Sequence, residues 1–325
     1  MSRTLTFPQA VNEGIRQEMR RDPAVLLMGE DVGRYGGMFR VTEGIFEEFG
    51  EMRVWDTPIS ESGFVGMALG LAMTGKRPIV ELMFFDFMLV AMDQILNQVA
   101  KARYMSGGKA SNSLVIRTQG GGFKGAASQH SQMLETLILH VPGFKVVAPS
   151  NAADAKGLLA AAVRDDNPVF FIEHKQLYGA SGVVPEGEHF VPIGKAAVAR
   201  EGTDATICSY SYEVTMALEA AELLAKEGIS VEVIDLRTLN PLDWETISTS
   251  VRKTHRMLVV HESHYRCGFG SDLAAQVQEK LFDDLDAPVL RVCAEDVPVP
   301  FAQALETACL PSPAKIVDAV RKLVA

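Results

Sequence analysis

One carboxylate stands at the start of an apolar, glycine-containing segment, residues 56–75, DTPISESGFVGMALGLAMTG. Thr57 and Pro58 are typical residues of a helix N-terminus, so the pattern predicts a helix over 58–74 with Glu61 in its first turn. The helix dipole alone would stabilise that carboxylate by about 0.3–1 kcal/mol, which is a purely structural role. A chemical role arises if water is excluded from Glu61, because desolvation raises a carboxyl pKa toward the range that suits proton transfer.

The same helix carries Gly66 and Gly70 four residues apart, with Ala68 and Ala72 beside them. Small residues at this spacing give one nearly flat helix face, against which a second helix can pack closely. We therefore expect Glu61 to lie beside an interface that desolvates it.

A histidine stands in the segment 118–132, TQGGGFKGAASQHSQ, which is predicted to be a long flexible loop that leads into a helix. His130 has polar neighbours and titrates near neutral pH, and loops often carry functional residues. These features favour a functional role over a place in the core.

The segment 81–98, ELMFFDFMLVAMDQILNQ, follows a predicted strand and is rich in Met and Phe. Most of these side chains are expected in the core. Met83 and Phe87 are equally suited to form an apolar wall for a flat heterocycle.

Two further segments favour structural interpretations. GEDVGRYGGMF, residues 29–39, carries Glu30 and Asp31 among turn-forming glycines but lacks a phosphate-binding P-loop motif, so we expect a structural loop at a subunit or ligand edge. AAVRDDNPV, residues 161–169, is typical of a helix that ends before proline, although its free carbonyls and acidic side chains also suit a hard cation.

Alternating β-rich runs and helical patterns must position these residues, and they predict an α/β fold with mainly parallel sheets. We predict a first α/β domain over 1–180, a Gly- and Pro-rich linker over 181–200 and a smaller α/β domain over 201–325. The predicted strands of the two domains cover residues 24–29, 77–82, 113–118, 145–150, 168–173, 205–210, 229–235, 256–263 and 287–292.

The 325-residue chain has a net charge of −10, and residues 201–325 account for most of it, with 11 Lys and Arg against 20 Asp and Glu. This balance argues against a nucleic-acid partner and favours a basic protein partner. The apolar stretches are too short for a membrane span. Four dispersed cysteines predict reduced thiols, and we expect a cytoplasmic or organelle-matrix protein.

Several motifs together resemble the β subunit of thiamine-diphosphate-dependent 2-oxo acid dehydrogenases of the pyruvate, branched-chain and acetoin types. They are GEDVG, RVWDTPISESGFVGMALGLA, QHSQ, PGFKVVAPSNAADAKGLL and AAVRDDNP. The resemblance implies a pyrimidine-binding domain followed by a transketolase-type C-terminal domain, in an α2β2 heterotetramer. It also implies that the cofactor is shared with an α subunit, which carries a G-D-G…N motif and mainly holds the Mg²⁺. This chain contains no G-D-G.

The resemblance assigns roles to individual residues. It implies that Glu61 activates the cofactor through a hydrogen bond to the aminopyrimidine ring, and that Ile59, Met83 and Phe87 line that ring. It implies that His130 transfers a proton or stabilises charge as the acyl group passes to lipoamide. It also implies a potassium site that uses mostly backbone carbonyls, at Leu114, Ala162, Val163, Asp165 and Asn167.

The implied activity is decarboxylation of pyruvate or a branched-chain 2-oxo acid, with reductive acylation of lipoamide on a dihydrolipoyl acyltransferase that docks on the C-terminal domain. RYMSGGKA, SQHSQML and IEHKQLY favour the acetoin type, whereas the short GEDVGRYGG favours the pyruvate and branched-chain types. A non-catalytic binding or scaffold subunit of the same fold is an alternative of a different class. A single-chain transketolase-like enzyme is disfavoured by the missing diphosphate motif.

Overall fold

The computed structural model describes residues 2–325, which divide into two compact units. The first unit holds residues 2–120 and 137–193, and the second holds residues 121–136 and 194–325. The segment that contains His130 thus belongs to the second unit, although the sequence around it had been expected to continue the first domain.

The first unit contains strands β1–β8 and helices α1–α6, of which α5 runs across the boundary between the units. The strands are β1 (Ser2–Thr6), β2 (Val25–Gly29), β3 (Val54–Asp56), β4 (Arg77–Leu82), β5 (Val115–Gly120), β6 (Lys145–Val147), β7 (Val169–His174) and β8 (Ser181–Pro185). The helices are α1 (Phe7–Arg21), α2 (Ile45–Phe49), α3 (Glu61–Met73), α4 (Ala100–Met105), α5 (Glu135–Leu139) and α6 (Ala152–Arg164).

Six strands of the first unit form a parallel sheet in the order β6–β7–β5–β4–β2–β3. Strands β2, β5 and β7 are buried along their whole length. Continuous burial is typical of a parallel sheet that is covered on both faces. The α/β fold predicted from the alternating pattern is therefore confirmed.

Side-chain caps fix where the two flanking helices begin. Thr6 precedes α1, and its hydroxyl accepts a hydrogen bond from the Gln9 backbone N–H, while the Gln9 side chain accepts one from the Thr6 N–H. Asn151 caps α6 by accepting from the Asp154 N–H at 2.9 Å. These bonds satisfy N–H groups that have no partner inside the helix.

The helix predicted over 58–74 begins three residues later than expected, at Glu61. Thr57 does not cap it: the Thr57 N–H donates to the Gly29 carbonyl at 2.9 Å, which extends the pairing of β3 with β2, and Ser60 occupies the N-cap position. Glu61 is consequently the first residue of the helix.

The segment between β4 and β5 is divided into three helical parts. Phe85–Leu89 form a 3₁₀ turn, Asp93–Val99 are π-helical, and α4 follows. Wide π-helical turns inside helices are frequent near functional sites.

The segment expected to be a linker, residues 181–200, contains two strands. β8 pairs with β1 in an antiparallel arrangement, and Val184 of β8 is fully buried. β9 (Ala197–Arg200) pairs with β11 of the second unit. Both strands are short, and the partner of β8 lies at the other end of the unit's sequence, so the local pattern did not reveal them.

The second unit contains a five-stranded sheet in the order β14–β13–β10–β11–β9, parallel except at β9. Helices α7 and α11 pack on it through buried aliphatic side chains. Its strands are β9, β10 (Ala205–Ser209), β11 (Val231–Asp235), β12 (Thr238–Asn240), β13 (Met257–His264) and β14 (Leu290–Ala294). Its helices are α7 (Glu213–Ala225), α8 (Trp244–Thr254), α9 (Phe269–Leu281), α10 (Gln303–Cys309) and α11 (Pro313–Val324). Across residues 2–325, no helix combines the length and apolarity that a membrane crossing requires.

Candidate active site

The edge of the first unit's sheet brings together two acidic residues that are distant in sequence. In the parallel register, Gly29 at the end of β2 lies beside Asp56 at the end of β3 and beside Glu81 in β4. The carboxyl ends of parallel strands meet at the same edge of a sheet. Glu30 directly follows β2, and Glu61 opens the helix after β3, so both reach this edge.

Glycines shape the loop that carries Glu30. The Gly33 N–H donates to the Asp56 carboxylate at 2.6 Å, and a Cβ at Gly33 would lie only 2.6 Å from that group. Gly37 has a left-handed φ of 79°, and its N–H donates to the Asp31 carbonyl at 2.8 Å. The glycines are therefore structural, as expected, and what they fix in place is Glu30.

The two carboxyl groups are buried and electrostatically coupled. Glu61 is 6 % exposed and Glu30 is 7 % exposed. Within the described residues, Oε1 of Glu30 has no hydrogen-bond partner. Burial, followed by the negative charges of Glu61 and Asp31, raises the pKa of Glu30 from 4.5 to about 7. This edge thus holds a carboxyl group that gains or loses a proton near neutral pH.

Sequence reasoning missed Glu30, because it treated the loop 29–39 as structural. The available signal was topological: a carboxylate that directly follows a buried parallel strand lies at the ligand-binding edge of the sheet. The strand was predicted, but the strand order that makes Glu30 a neighbour of Glu61 could not be deduced from local pattern.

Apolar side chains lie after β4 and before α3. Met83 follows β4, and Phe87 lies in the 3₁₀ turn after it; both are half-buried. Ile59, two residues before α3, is 84 % exposed. An apolar side chain that is this exposed is available to a ligand or a partner.

A buried ion network stiffens the strands behind the site. The Arg117 guanidinium is fully buried, and it donates to Glu81 and to Glu173 at 2.7 Å each. The Tyr178 hydroxyl donates to Glu173 at 2.8 Å. Burial lowers the pKa of Arg117, but the charges of Glu173 and Glu81 outweigh it and raise the pKa. Because β4, β5 and β7 are joined by these charges, the edge of the sheet is held rigid.

His130 lies in the second unit, where it is half-buried within the loop 121–136. The backbone N–H of His130 donates to the Ala127 carbonyl at 3.4 Å. The structure therefore brings Glu30 and Glu61 together in the first unit, with Met83 and Phe87 just after β4, and it holds His130 in the second unit.

The residues expected at a potassium site lie around the C-terminal end of α6. The Asp165 N–H donates to the Ala162 carbonyl at 3.3 Å, and the Asn167 N–H donates to the Asp165 carboxylate at 2.9 Å. The Leu114 carbonyl accepts from the Val169 N–H at 2.9 Å. Leu114 is thus joined to the strand that follows this helix end.

Two cationic side chains already contact this group of oxygens. Arg77 donates to the carbonyls of Val163 and Asp165, at 2.9 and 3.2 Å, and Lys145 pairs with the Asp165 carboxylate. Burial raises the pKa of Asp165, but the hydrogen bonds from Lys145 and Asn167 outweigh it and lower the pKa. Each carbonyl that Arg77 contacts keeps a second lone pair, so a cation would share these oxygens with the guanidinium.

Comparison with known proteins identifies the families that the two parts of the chain resemble. Residues 3–181 match the family model of the transketolase pyrimidine-binding domain, and residues 194–316 match that of the transketolase C-terminal domain. The chain is 50 % identical to acetoin:2,6-dichlorophenolindophenol oxidoreductase subunit beta of Cupriavidus necator, with 99 % of this chain and 98 % of the relative covered. It is 48 % identical to pyruvate dehydrogenase E1 component subunit beta of Rhizobium meliloti, with 98 % and 69 % covered.

The chain belongs to the family of transketolase-type E1 β subunits. The Bacillus subtilis acetoin:2,6-dichlorophenolindophenol oxidoreductase subunit beta, another member, is 48 % identical over 99 % of this chain and 98 % of its own length. A solved structure titled "Split gene transketolase, inactive beta4 tetramer" shares the fold, with a TM-score of 0.80, 24 % identity and 98 % of both chains covered.

Membership of an E1 β subunit family gives meaning to the exposed face of α3. Gly63 and Gly70 lie on the solvent side of this helix, together with the exposed side chains of Met67 and Met73. Gly66 is half-buried against Gln94, and Ala68 and Ala72, which were expected to share the flat face, are fully buried on the side that packs on the sheet. A Cβ added at Gly70 would meet no atom within 4 Å. A flat face with exposed methionines is suited to close packing of another chain.

Proposed function

We propose that this chain is the β subunit of a heteromeric thiamine-diphosphate-dependent 2-oxo acid dehydrogenase of the pyruvate or branched-chain type. Its reaction is decarboxylation of the 2-oxo acid and reductive acylation of lipoamide on an acyltransferase. The observation that carries the proposal is the coupled pair of buried carboxyl groups, Glu30 and Glu61, at the open edge of a pyrimidine-binding domain. Named relatives at about half identity support the same activity class.

The residues at this edge fit the aminopyrimidine half of the cofactor. Buried Glu61 is placed to hydrogen-bond a ring nitrogen, and Met83 and Phe87 offer apolar surface to the flat ring. When bound, the cofactor supplies a carbon nucleophile and an electron sink. With the ring bound, Glu61 would hydrogen-bond to a ring nitrogen, and Glu30, whose pKa is raised to about 7, would receive or return a proton.

His130 serves the later part of the reaction, in which the acyl group passes to lipoamide. An imidazole can donate and accept protons, so His130 is suited to deliver one or to stabilise negative charge. Ile59, which is exposed in this chain alone, completes the apolar wall of the ring.

The rest of the active site belongs to an α subunit, and we infer an α2β2 heterotetramer. This chain has no G-D-G motif to hold a diphosphate, so the α subunit supplies that half of the site and most of the contacts to Mg²⁺. The glycine face of α3 is the surface on which a neighbouring subunit packs and excludes water from Glu61.

The acyltransferase core docks on the second unit through a small basic domain. The segment after α9 presents Phe282, which is 66 % exposed, beside the acidic Asp283 and Asp286. An apolar anchor with an acidic rim complements a basic, partly apolar partner. Affinity for the acyltransferase should fall as salt rises, and an affinity indifferent to salt would argue against this docking mode.

Potassium is a structural ion in this proposal, held by carbonyls at the end of α6. The supporting observation is that Asp165 bonds to Ala162 and to Asn167 at the end of α6, and that Leu114 bonds to Val169 just after it. The free thiols of Cys208, Cys267, Cys293 and Cys309 support a reducing, cytoplasmic location.

Acetoin is the second candidate substrate, because the 50 % identical relative from Cupriavidus necator is an acetoin oxidoreductase subunit. The discriminating experiment is to purify this chain with a coexpressed G-D-G-containing α subunit and to supply pyruvate, branched-chain 2-oxo acids and acetoin in parallel. Decarboxylation supports the proposal, and cleavage of acetoin alone replaces it with the second candidate. A complex that binds its partners but turns over none of these substrates points to a non-catalytic subunit.

A further inference from the structure

The loop that carries His130 is fastened to the second unit through its backbone. The Gly122 N–H donates to Oε1 of Glu262 at 2.5 Å, and the Gly125 N–H donates to Oε2 of Glu306 at 3.1 Å. Both carboxyl groups are buried. Hydrogen bonds from a backbone N–H to an ionised carboxylate are about twice as strong as neutral ones.

A second anchor follows His130. The Tyr210 hydroxyl donates to Oε1 of Glu135 at 2.5 Å, and both side chains are fully buried. His130 therefore lies midway between an anchor at Gly125 and another at Glu135.

The glycines of the first anchor allow the loop to lie flush on the segment 301–310. A Cβ at Gly122 would come within 2.4 Å of a methyl group of Leu310. Gly125 has a φ of 75°, and a Cβ there would lie 2.8 Å from the Phe301 carbonyl oxygen. Close approach of the two backbones at these points requires glycine.

Burial of these acids is costly for the fold. Oε1 of Glu306 has no hydrogen-bond partner among the described residues. Burial, followed by the charge of Glu262, raises the pKa of the adjacent Glu213 well above its usual value. An apolar residue at either anchor position would avoid burying a carboxyl but would leave a backbone N–H of the loop without its acceptor, so what each acid specifically supplies is a hold on the loop backbone.

We propose that Glu262 and Glu306 are positioning residues that set the geometry of His130 by holding the loop 121–136 at its backbone. Their effect on turnover rests on the proposed function of His130, whereas their effect on the loop does not. No contact of either carboxylate with substrate is invoked. The anchors act by fixing a general acid within reach of the reacting group, where a displacement of 1 Å can cost about 100-fold in rate.

The test compares Glu306→Ala, Glu306→Gln and His130→Gln, singly and combined, in the complex with the α subunit. Glu306→Ala should lower reductive acylation of lipoyl domain roughly 10- to 100-fold. It should also speed hydrogen exchange of amides in 121–136. Glu306→Gln keeps an acceptor oxygen and should restore most of both losses. Glu279→Gln, an exposed acid on α9, is the matched control and should change neither readout.

A double-mutant cycle separates positioning from general destabilisation. If Glu306 acts through His130, Glu306→Ala should cost little further activity in the His130→Gln background. The inference would be overturned if the activity losses of Glu306→Ala and His130→Gln multiply in the double variant. It would also be overturned if amide hydrogen exchange in 121–136 stays at the wild-type rate in Glu306→Ala. Full activity of His130→Gln alone would instead refute the role proposed for His130, and loop exchange would still decide the anchoring.

If Glu306→Ala does not fold, Gly125→Ala provides the second variant. It pushes the loop away from the Phe301 carbonyl without touching a carboxylate. Like Glu306→Ala, it should speed hydrogen exchange of the amides in 121–136 and lower reductive acylation of lipoyl domain. If both rates stay at their wild-type values, the proposal is contradicted.

Discussion

The charge of Glu61 raises the pKa of Glu30. Burial is the largest cause. Burial and the charges of Glu61 and Asp31 together raise the pKa of Glu30 to about 7. A negative charge beside a desolvated carboxyl disfavours its ionisation, so Glu30 exchanges a proton near neutral pH. The parallel pairing of β2 with β3 brings the two carboxyl groups to the same edge of the sheet.

The raised pKa of Glu30 makes stability depend on pH. Its folded-state pKa of about 7 exceeds the usual 4.5, so the favourable contribution of its protonated form is complete below about pH 4.5 and is lost as pH rises through 7. Glu30→Gln cannot ionise, and its stability relative to wild type should therefore increase between pH 5 and pH 8, by at most about 3 kcal/mol. Chemical denaturation at several pH values measures this. The exposed Glu51→Gln serves as the control, and a pH-independent difference would contradict the coupling.

Replacement of His130 should separate the two halves of the reaction. In His130→Gln, acyl transfer to lipoyl domain should fall by roughly 10²–10³-fold, because a positioned acid or base contributes that much. Decarboxylation followed with an artificial electron acceptor should fall far less. His140→Gln, an exposed histidine of the same chain, should leave both rates unchanged. Equal losses in the two assays would refute a role confined to acyl transfer.

A substitution at Gly70 tests the folding of the chain and its assembly with a neighbouring subunit separately. Space beside it is open, so Gly70→Leu should fold and gain about 0.5–1 kcal/mol from helix propensity. The added side chain roughens the flat face of α3 and should prevent a neighbouring subunit from packing there. Thermal unfolding of the single chain and sedimentation with the α subunit measure the two effects. Gly179→Leu, at another open position, should not affect assembly; assembly of Gly70→Leu as tight as wild type would place the interface elsewhere.

Potassium should stabilise the chain in competition with Arg77. Thermal unfolding in potassium chloride should occur at a higher temperature than in equal sodium chloride, with a gain of about 2.7 kcal/mol once the ion exceeds its Kd 100-fold. Arg77→Met removes the donor from the carbonyls of Val163 and Asp165, so its stability should depend more strongly on potassium. A response to potassium no larger than the response to sodium in both proteins would exclude the site.

Local sequence pattern predicted the parts of this molecule that depend on neighbouring residues. The buried runs gave β2, β4, β5 and β7 to within about two residues. Of the small residues expected to share one face of α3, Gly70 is exposed, whereas Ala68 and Ala72 are buried. The start of α3 was predicted wrongly, because the backbone bond from Thr57 to Gly29 continues the strand pairing past β3 and the helix begins only after Ser60. The strands β8 and β9 were missed because their partners are distant in sequence.

The same limit applies to the site. The residue types and the family resemblance pointed to Glu61, but nothing local to GEDVG distinguishes Glu30 from an ordinary loop acid. Its significance comes from the order of the strands, which makes it a neighbour of Glu61. The anchors Glu262 and Glu306 lie more than a hundred residues from the loop that they hold, and only the fold reveals them.

In the proposed function, Glu61 takes part directly in the decarboxylation of the 2-oxo acid. The most direct test is Glu61→Gln in the purified complex, with cofactor binding measured beside the rate of 2-oxo acid decarboxylation. Glutamine keeps the size of the side chain but has no exchangeable acid proton. We expect the cofactor to remain bound and decarboxylation to fall by roughly 10²–10⁴-fold. Full decarboxylation activity of Glu61→Gln with the cofactor bound would show that Glu61 takes no part in the reaction.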